Sequence, residues 1–259
     1  MSDAPTQGRR KAIPDHPAVF RFLSGHGLPG GPPPHPGPAT VFLHIPKTGG
    51  TFLTDLILHN LQERDQPDLF YAPHWMSAAR TGRIFGPDRR LALILRDPVA
   101  RFRSAWDSRL ARGRPAYDTP WSAAEEKVFA RYPTLRHFLR EAVHPNPRTR
   151  RRALKLMNGM ALVPRGYAHA FGSARKAQAL LPNITVCLPL EKLAPNLDQV
   201  MHGLGFAEYT LAPDLAENRA STRATPLSAL DKRLLAWLLR EDIRIHKLLM
   251  RHARTLHDL

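Results

Sequence analysis

Three stretches of the chain pair a short run that is apolar on both faces with a following segment of helical periodicity. "VFLHI" at 41–45 precedes a helical pattern over 52–62, "LALIL" at 91–95 precedes one over 99–112, and "ITVCLPL" at 184–190 precedes one over 193–204. Short runs of this kind belong to the strands of a parallel sheet covered by helices on both sides. A fourth strand is expected at "DLFYAPH", residues 68–74. The pattern predicts a doubly wound α/β fold built from P-loop-like strand–loop–helix units. Residues 113–170 are rich in helix formers and arginine. Over 227–257, Leu230, Leu234, Leu238, Ile245 and Leu249 recur close to a 3.6-residue period, and Ser228 and Asp231 suit a capped start. One closing helix packed on the sheet is the reading, with a coiled-coil helix as the alternative.

Residues 24–39, "SGHGLPGGPPPHPGPA", hold too much Gly and Pro for regular structure. Residues 1–39 are therefore expected to form an irregular N-terminal arm and 40–259 a single domain. His26 and His35 stand among prolines that scatter their directions, and no metal site is expected. The lone Cys187, inside an apolar run, excludes an internal disulfide and reads as a buried structural thiol. No apolar run approaches the roughly 20 residues that cross a bilayer, and the first residues lack the apolar core of a secretory signal. A cytoplasmic protein without a transmembrane segment is expected.

Charge narrows the partners without naming a chemistry. The 259 residues carry 38 Lys+Arg against 22 Asp+Glu, a formal +16, so clefts attract anions. Nucleic acid, acidic polysaccharide and anionic lipid all stay open on that ground.

"HIPKTGGTFL" at 44–53 sharpens the class of anion. Paired glycines between a strand and a helix let consecutive N–H groups converge on an anion, and the helix N-terminus adds partial positive charge. Lys47 and the hydroxyls of Thr48 and Thr51 complete a cradle over Gly49 and Gly50, with the helix beginning near Phe52. The lysine stands before the glycines, whereas the nucleotide triphosphatase pattern Gly-x4-Gly-Lys-Ser/Thr places it after them. The second strand runs into Arg96-Asp97-Pro98, which offers a cation where a triphosphatase offers a magnesium-binding carboxylate.

"HIPKTGGTFL" followed by "LILRDPVARFRSAW" at 93–106 resembles the two cofactor-binding motifs of sulfotransferases. The resemblance is to the carbohydrate enzymes related to the heparan sulfate 2-O- and 6-O-sulfotransferases and their bacterial relatives. It implies that residues 47–52 bind the 5′-phosphosulfate of 3′-phosphoadenosine 5′-phosphosulfate (PAPS). Arg96 and Ser104, eight positions later, would bind the 3′-phosphate. His74 in "YAPHWMSAAR" matches the family's catalytic base, and Lys47 would stabilise the leaving phosphate. Arg219, in "ENRASTRAT" at 217–225, is a candidate lid residue for the 3′-phosphate. His44 reads as buried against a neighbour, and Glu191 as a carboxylate at a helix start.

The implied partner is a saccharide or glycolipid acceptor, anionic or not, and the implied reaction uses no metal. The basic stretch "NPRTRRRALK" at 146–155 is either an acceptor contact or a solvated helix face. Two other functions stay open: a nucleotide-dependent kinase, and a noncatalytic basic nucleic-acid-binding protein. Specific nucleic-acid binding is not expected, because neither zinc-finger spacing nor an aromatic RNA-binding signature is present.

Overall fold

The structure is a computed structural model that describes residues 38–64, 66, 68–114, 118–211 and 226–257. Almost all of the expected arm, and all of 212–225, lie outside the described residues. In chain order the principal elements are β1 (Thr40–Leu43), α1 (Gly50–Leu61), β2 (Leu69–Ala72), α2 (Ala78–Phe85), β3 (Arg90–Leu95), α3 (Pro98–Leu110), α4 (Ala123–Arg131), α5 (Leu135–Ala142), α6 (Pro147–Asn158), α7 (Tyr167–Phe171), α8 (Ala174–Leu180), β4 (Ile184–Pro189), α9 (Leu197–Gly203), α10 (Ala229–Leu238) and α11 (Arg240–His257). The stretch expected as one domain contains two compact units. One comprises the described residues of 38–101, 165–211 and 239–257, and the other those of 102–164 and 226–238.

The first unit is built on a four-stranded, all-parallel sheet in the order β2-β1-β3-β4. Its strands bury both faces, which is why they read as continuous apolar runs rather than as alternations. Val41 and Leu43, Phe70 and Ala72, and Leu91, Leu93 and Leu95 point into one core, which Tyr167, Phe171, Ala177, Ile245 and Leu249 close. Phe42, Leu69, Ala92 and Ile94 point into the other, closed by Leu53, Leu56 and Ile57 of α1 and Val200 and Met201 of α9. On β4 the pairing skips from Ile184 to Val186. That extra residue puts Ile184 and Cys187 in the first core and Val186 and Leu188 in the second. Cys187 is buried as expected, its pKa raised by burial.

The chain leaves β1 for β2 on one side and returns to β3 on the other. The loops after β1 and β3 therefore flank the switch point at the carboxyl edge of the sheet, where open α/β sheets bind ligands.

The second unit is helical. Trp106, Phe129, Tyr132 and Phe138 pack ring against ring in its core. Arg109 grips Glu125 through two 2.7 Å bonds, both side chains nearly inaccessible. Burial alone would raise the Glu125 pKa; hydrogen bonds from Arg109, Ser122 and Ala161 outweigh it and hold the carboxyl at about 2. Glu125 also completes a capping box with Ser122 at the start of α4. The basic 146–155 stretch falls at the start of α6, where only Ala153 is buried.

The single closing helix of the sequence reading is corrected to two, α10 and α11, interrupted at Leu239. One stripe would have to serve two cores. Leu235 is buried in the helical unit, while Ile245 and Leu249 are buried against the sheet; Leu230 is 61% exposed. The expected start holds, since the Asp231 N–H donates to the Ser228 hydroxyl.

Removing one partner of a buried ion pair strands the other charge. Glu125→Ala is expected to lower unfolding free energy by about 3–5 kcal/mol, read from urea denaturation. A loss under about 1 kcal/mol, the range of exposed pairs, would show that Arg109 is re-solvated in the folded unit.

Candidate functional site

In the loop from Ile45 to Gly50, Lys47 has φ 67° and Gly49 φ 85°. For lysine this left-handed conformation costs about 1–2 kcal/mol, and such strain collects at ligand sites. Helix α1 starts at Gly50, two residues earlier than the periodicity implied. Its first intrahelical bond runs from the Leu53 N–H to the Gly49 carbonyl. Helix geometry leaves the N–H groups of Gly50, Thr51 and Phe52 without intrahelical acceptors, so they are suited to an anion. Thr48 is buried and its hydroxyl donates to the Ile45 carbonyl at 2.9 Å, so it braces the loop from within. Thr51 is the exposed hydroxyl.

The two glycines are fixed by close approach. A Cβ on Gly50 would lie 2.1 Å from the His44 ring, and one on Gly49 would lie 2.4 Å from Leu190 Cδ1. The ring of His44 thus sits directly beneath the start of α1, and the loop after β4 abuts the glycines.

Arg96, immediately after β3, donates from Nη1 to the Lys47 carbonyl at 3.0 Å. Its backbone is gripped by Tyr167, whose hydroxyl accepts the Arg96 N–H (2.8 Å) and donates to the Arg96 carbonyl (2.9 Å). The Tyr167 N–H in turn donates to Asp242 Oδ1 at 2.6 Å. Burial raises the Asp242 pKa, opposed by the nearby buried Arg101 and by these backbone donors. Arg101 is buried, and Arg103 pairs with Asp107. Lys47 has its pKa lowered by burial and then by Arg96.

His74 follows β2 at the same edge. Its Nε2 lies 3.4 Å from Nε2 of His44, the rings meeting edge to face, and His44 Nδ1 lies 2.6 Å from the Tyr71 hydroxyl. Burial, then the charges of Arg165 and Lys47, lower the His74 pKa to about 4. Burial and then His74 lower that of His44. Both rings are neutral at pH 7, so His74 is in the protonation state of a base.

Lys47, Thr48, Gly49, Gly50, Thr51, Phe52, His74 and Arg96 thus gather at one edge of the sheet unit. Ser104 is half-buried on α3, among the residues of the helical unit. Arg219 lies outside the described residues. Glu191 is exposed on a short 3-10 turn, and its charge raises the His246 pKa against the lowering by burial. Sequence reasoning missed Tyr167, Asp242, Arg165 and Tyr71. The one available signal was "RGYAHAF" at 165–171, a Gly before an aromatic at a helix start, inside a stretch that otherwise reads as solvated helix. No family model, curated protein or solved structure matches the chain.

The His74 environment can be read by NMR titration of its imidazole. Its midpoint is expected at about 4. Arg165→Ala should move it upward, because removing a cation favours the protonated ring. A midpoint near the solvent value of about 6.5 would show an open, unpaired ring.

Proposed function

We propose that the chain is a PAPS-dependent sulfotransferase of the carbohydrate type, moving a sulfuryl group to a hydroxyl of a saccharide or glycolipid and releasing adenosine 3′,5′-bisphosphate in the cytoplasm. The observation that carries this reading is the pair Lys47 and Arg96. Two cations follow neighbouring strands at the switch point, tied by the bond from Arg96 to the Lys47 carbonyl, with neutral His74 at the same edge. A donor charged at both ends of its adenosine needs two anion sites at fixed separation, and adjacent parallel strands supply that spacing. Among the described residues no helix is long and apolar enough to cross a membrane.

Each group then has one task. The N–H groups of 50–52, which lack intrahelical acceptors, and the Lys47 ammonium receive the phosphosulfate, and Arg96 receives the 3′-phosphate through charge-assisted bonds. The acceptor hydroxyl attacks sulfur as His74 takes its proton. The sulfur–oxygen bond to phosphate breaks with its electron pair left on the phosphate, where Lys47 offsets the growing charge.

One observation favours a second reading, noncatalytic nucleic-acid binding. Arg175, Arg244, Lys247 and Arg251 line a surface groove of about 490 Å³ between α8 and α11. Salt-sensitive affinity for DNA or RNA that persists in Lys47→Ala would support it.

Calorimetry should detect adenosine 3′,5′-bisphosphate binding to the wild-type chain. Arg96→Ala should weaken it by about tenfold or more, as expected for loss of a charged hydrogen-bonding partner worth 1.5–3 kcal/mol. His74→Ala should leave binding intact and abolish transfer from labelled PAPS. Absence of binding to the wild type would sink the assignment.

A further inference from the structure

His74 has one ring nitrogen already engaged. Its Nε2 faces Nε2 of His44, so Nδ1 is the nitrogen left to meet a substrate. Two neutral imidazoles in this contact hold one proton between the facing nitrogens, and there are two ways to place it. If the Tyr71 hydroxyl donates to His44 Nδ1, His44 carries its proton on Nε2 and gives it to His74. The outward Nδ1 of His74 then bears a proton and has no lone pair to offer. If instead His44 Nδ1–H donates to the Tyr71 oxygen, His44 Nε2 accepts from His74 Nε2–H, and His74 Nδ1 presents a free lone pair.

We infer that His44 is a positioning residue that holds His74 in its Nε2–H tautomer, with Tyr71 Oη accepting the His44 Nδ1–H and so fixing the orientation of the pair. The contacts among His74, His44 and Tyr71 rest on geometry, and the choice between the two proton placements rests on the sulfotransferase reading, which needs a free lone pair on His74. The arrangement has the logic of an imidazole oriented by a carboxylate, with an uncharged acceptor in place of the carboxylate. In the reaction the acceptor O–H bond breaks and its proton goes to His74 Nδ1, while its oxygen bonds to the sulfur of PAPS. The bond from sulfur to the bridging phosphate oxygen breaks, leaving the pair on phosphate. The imidazolium that forms keeps its Nε2–H on the His44 lone pair.

The surroundings suit a neutral orienting group. Arg165 and Lys47 both act electrostatically on His74, and His44 is enclosed by Phe42, Tyr71, His74 and the start of α1. A second charge in that enclosure would be unpaired, and none of these facing groups is a carboxylate.

The test is the tautomer itself. Long-range ¹H–¹⁵N spectra of the full chain labelled at histidine, with His44→Gln and His74→Gln providing assignments, are expected at neutral pH to show His74 protonated at Nε2 and His44 protonated at Nδ1. His74 protonated at Nδ1 would overturn the proposal. In transfer assays His44→Phe, which keeps a planar ring but removes the acceptor, should lower kcat by roughly tenfold to a hundredfold, with KM and bisphosphate affinity changing less than about twofold, a loss within what a positioned base contributes. His44→Gln should recover part of that loss, since its amide oxygen can accept from His74. A kcat unchanged by His44→Phe would also overturn it. If the bisphosphate fails to bind the wild type, the sulfotransferase reading falls, while the spectra still decide the pairing.

Discussion

The hydrogen bond from the Arg96 guanidinium to the Lys47 carbonyl joins the two loops at the switch point of the sheet. Lys47 is held in a left-handed conformation that its side chain disfavours, and a partner on its carbonyl helps to hold it there. Arg96 is itself fixed by the Tyr167 hydroxyl, and Tyr167 by Asp242 at the start of the last helix. A line of hydrogen bonds thus runs from α11 to the loop before α1. Both cations are set by backbone contacts made elsewhere, so the separation of the two proposed anion sites becomes a property of the fold rather than of flexible side chains.

The same edge tunes protonation. Burial and two cations keep His74 neutral, while burial and then Arg96 push the Lys47 pKa down. In the proposed reaction the smaller, cationic part of these effects, which adds to burial at both residues, comes from positive charge that awaits an anionic donor. An anion that met this charge would lower the cationic pressure on His74 and raise its basicity, as the proposed role of a base requires.

Much of this was legible in the chain. Strands apolar on both faces implied a covered parallel sheet, and "PKTGG" between β1 and α1 implied the loop, because both are local consequences of side-chain pattern and of glycine. The break at Leu239 was not legible, since the period runs on through it and only the existence of two cores decides which leucines are buried. Tyr167 and Asp242 were hidden for a related reason. They act through contacts 71 and 75 residues apart in sequence, and nothing in the local pattern distinguishes a tyrosine that grips a backbone from one that fills a core. His44 was readable as buried, but its pairing with His74 and Tyr71 depends on which strands are neighbours.

The central claim is that Lys47 and Arg96 mark the two ends of one bound nucleotide. The most direct measurement is a crystal structure with adenosine 3′,5′-bisphosphate at saturating concentration. The account predicts the 5′-phosphate on the loop of residues 47–52 and the 3′-phosphate within hydrogen-bond distance of Arg96. A nucleotide seated instead in the groove of Arg175 and Arg251, with the loop empty, would contradict it.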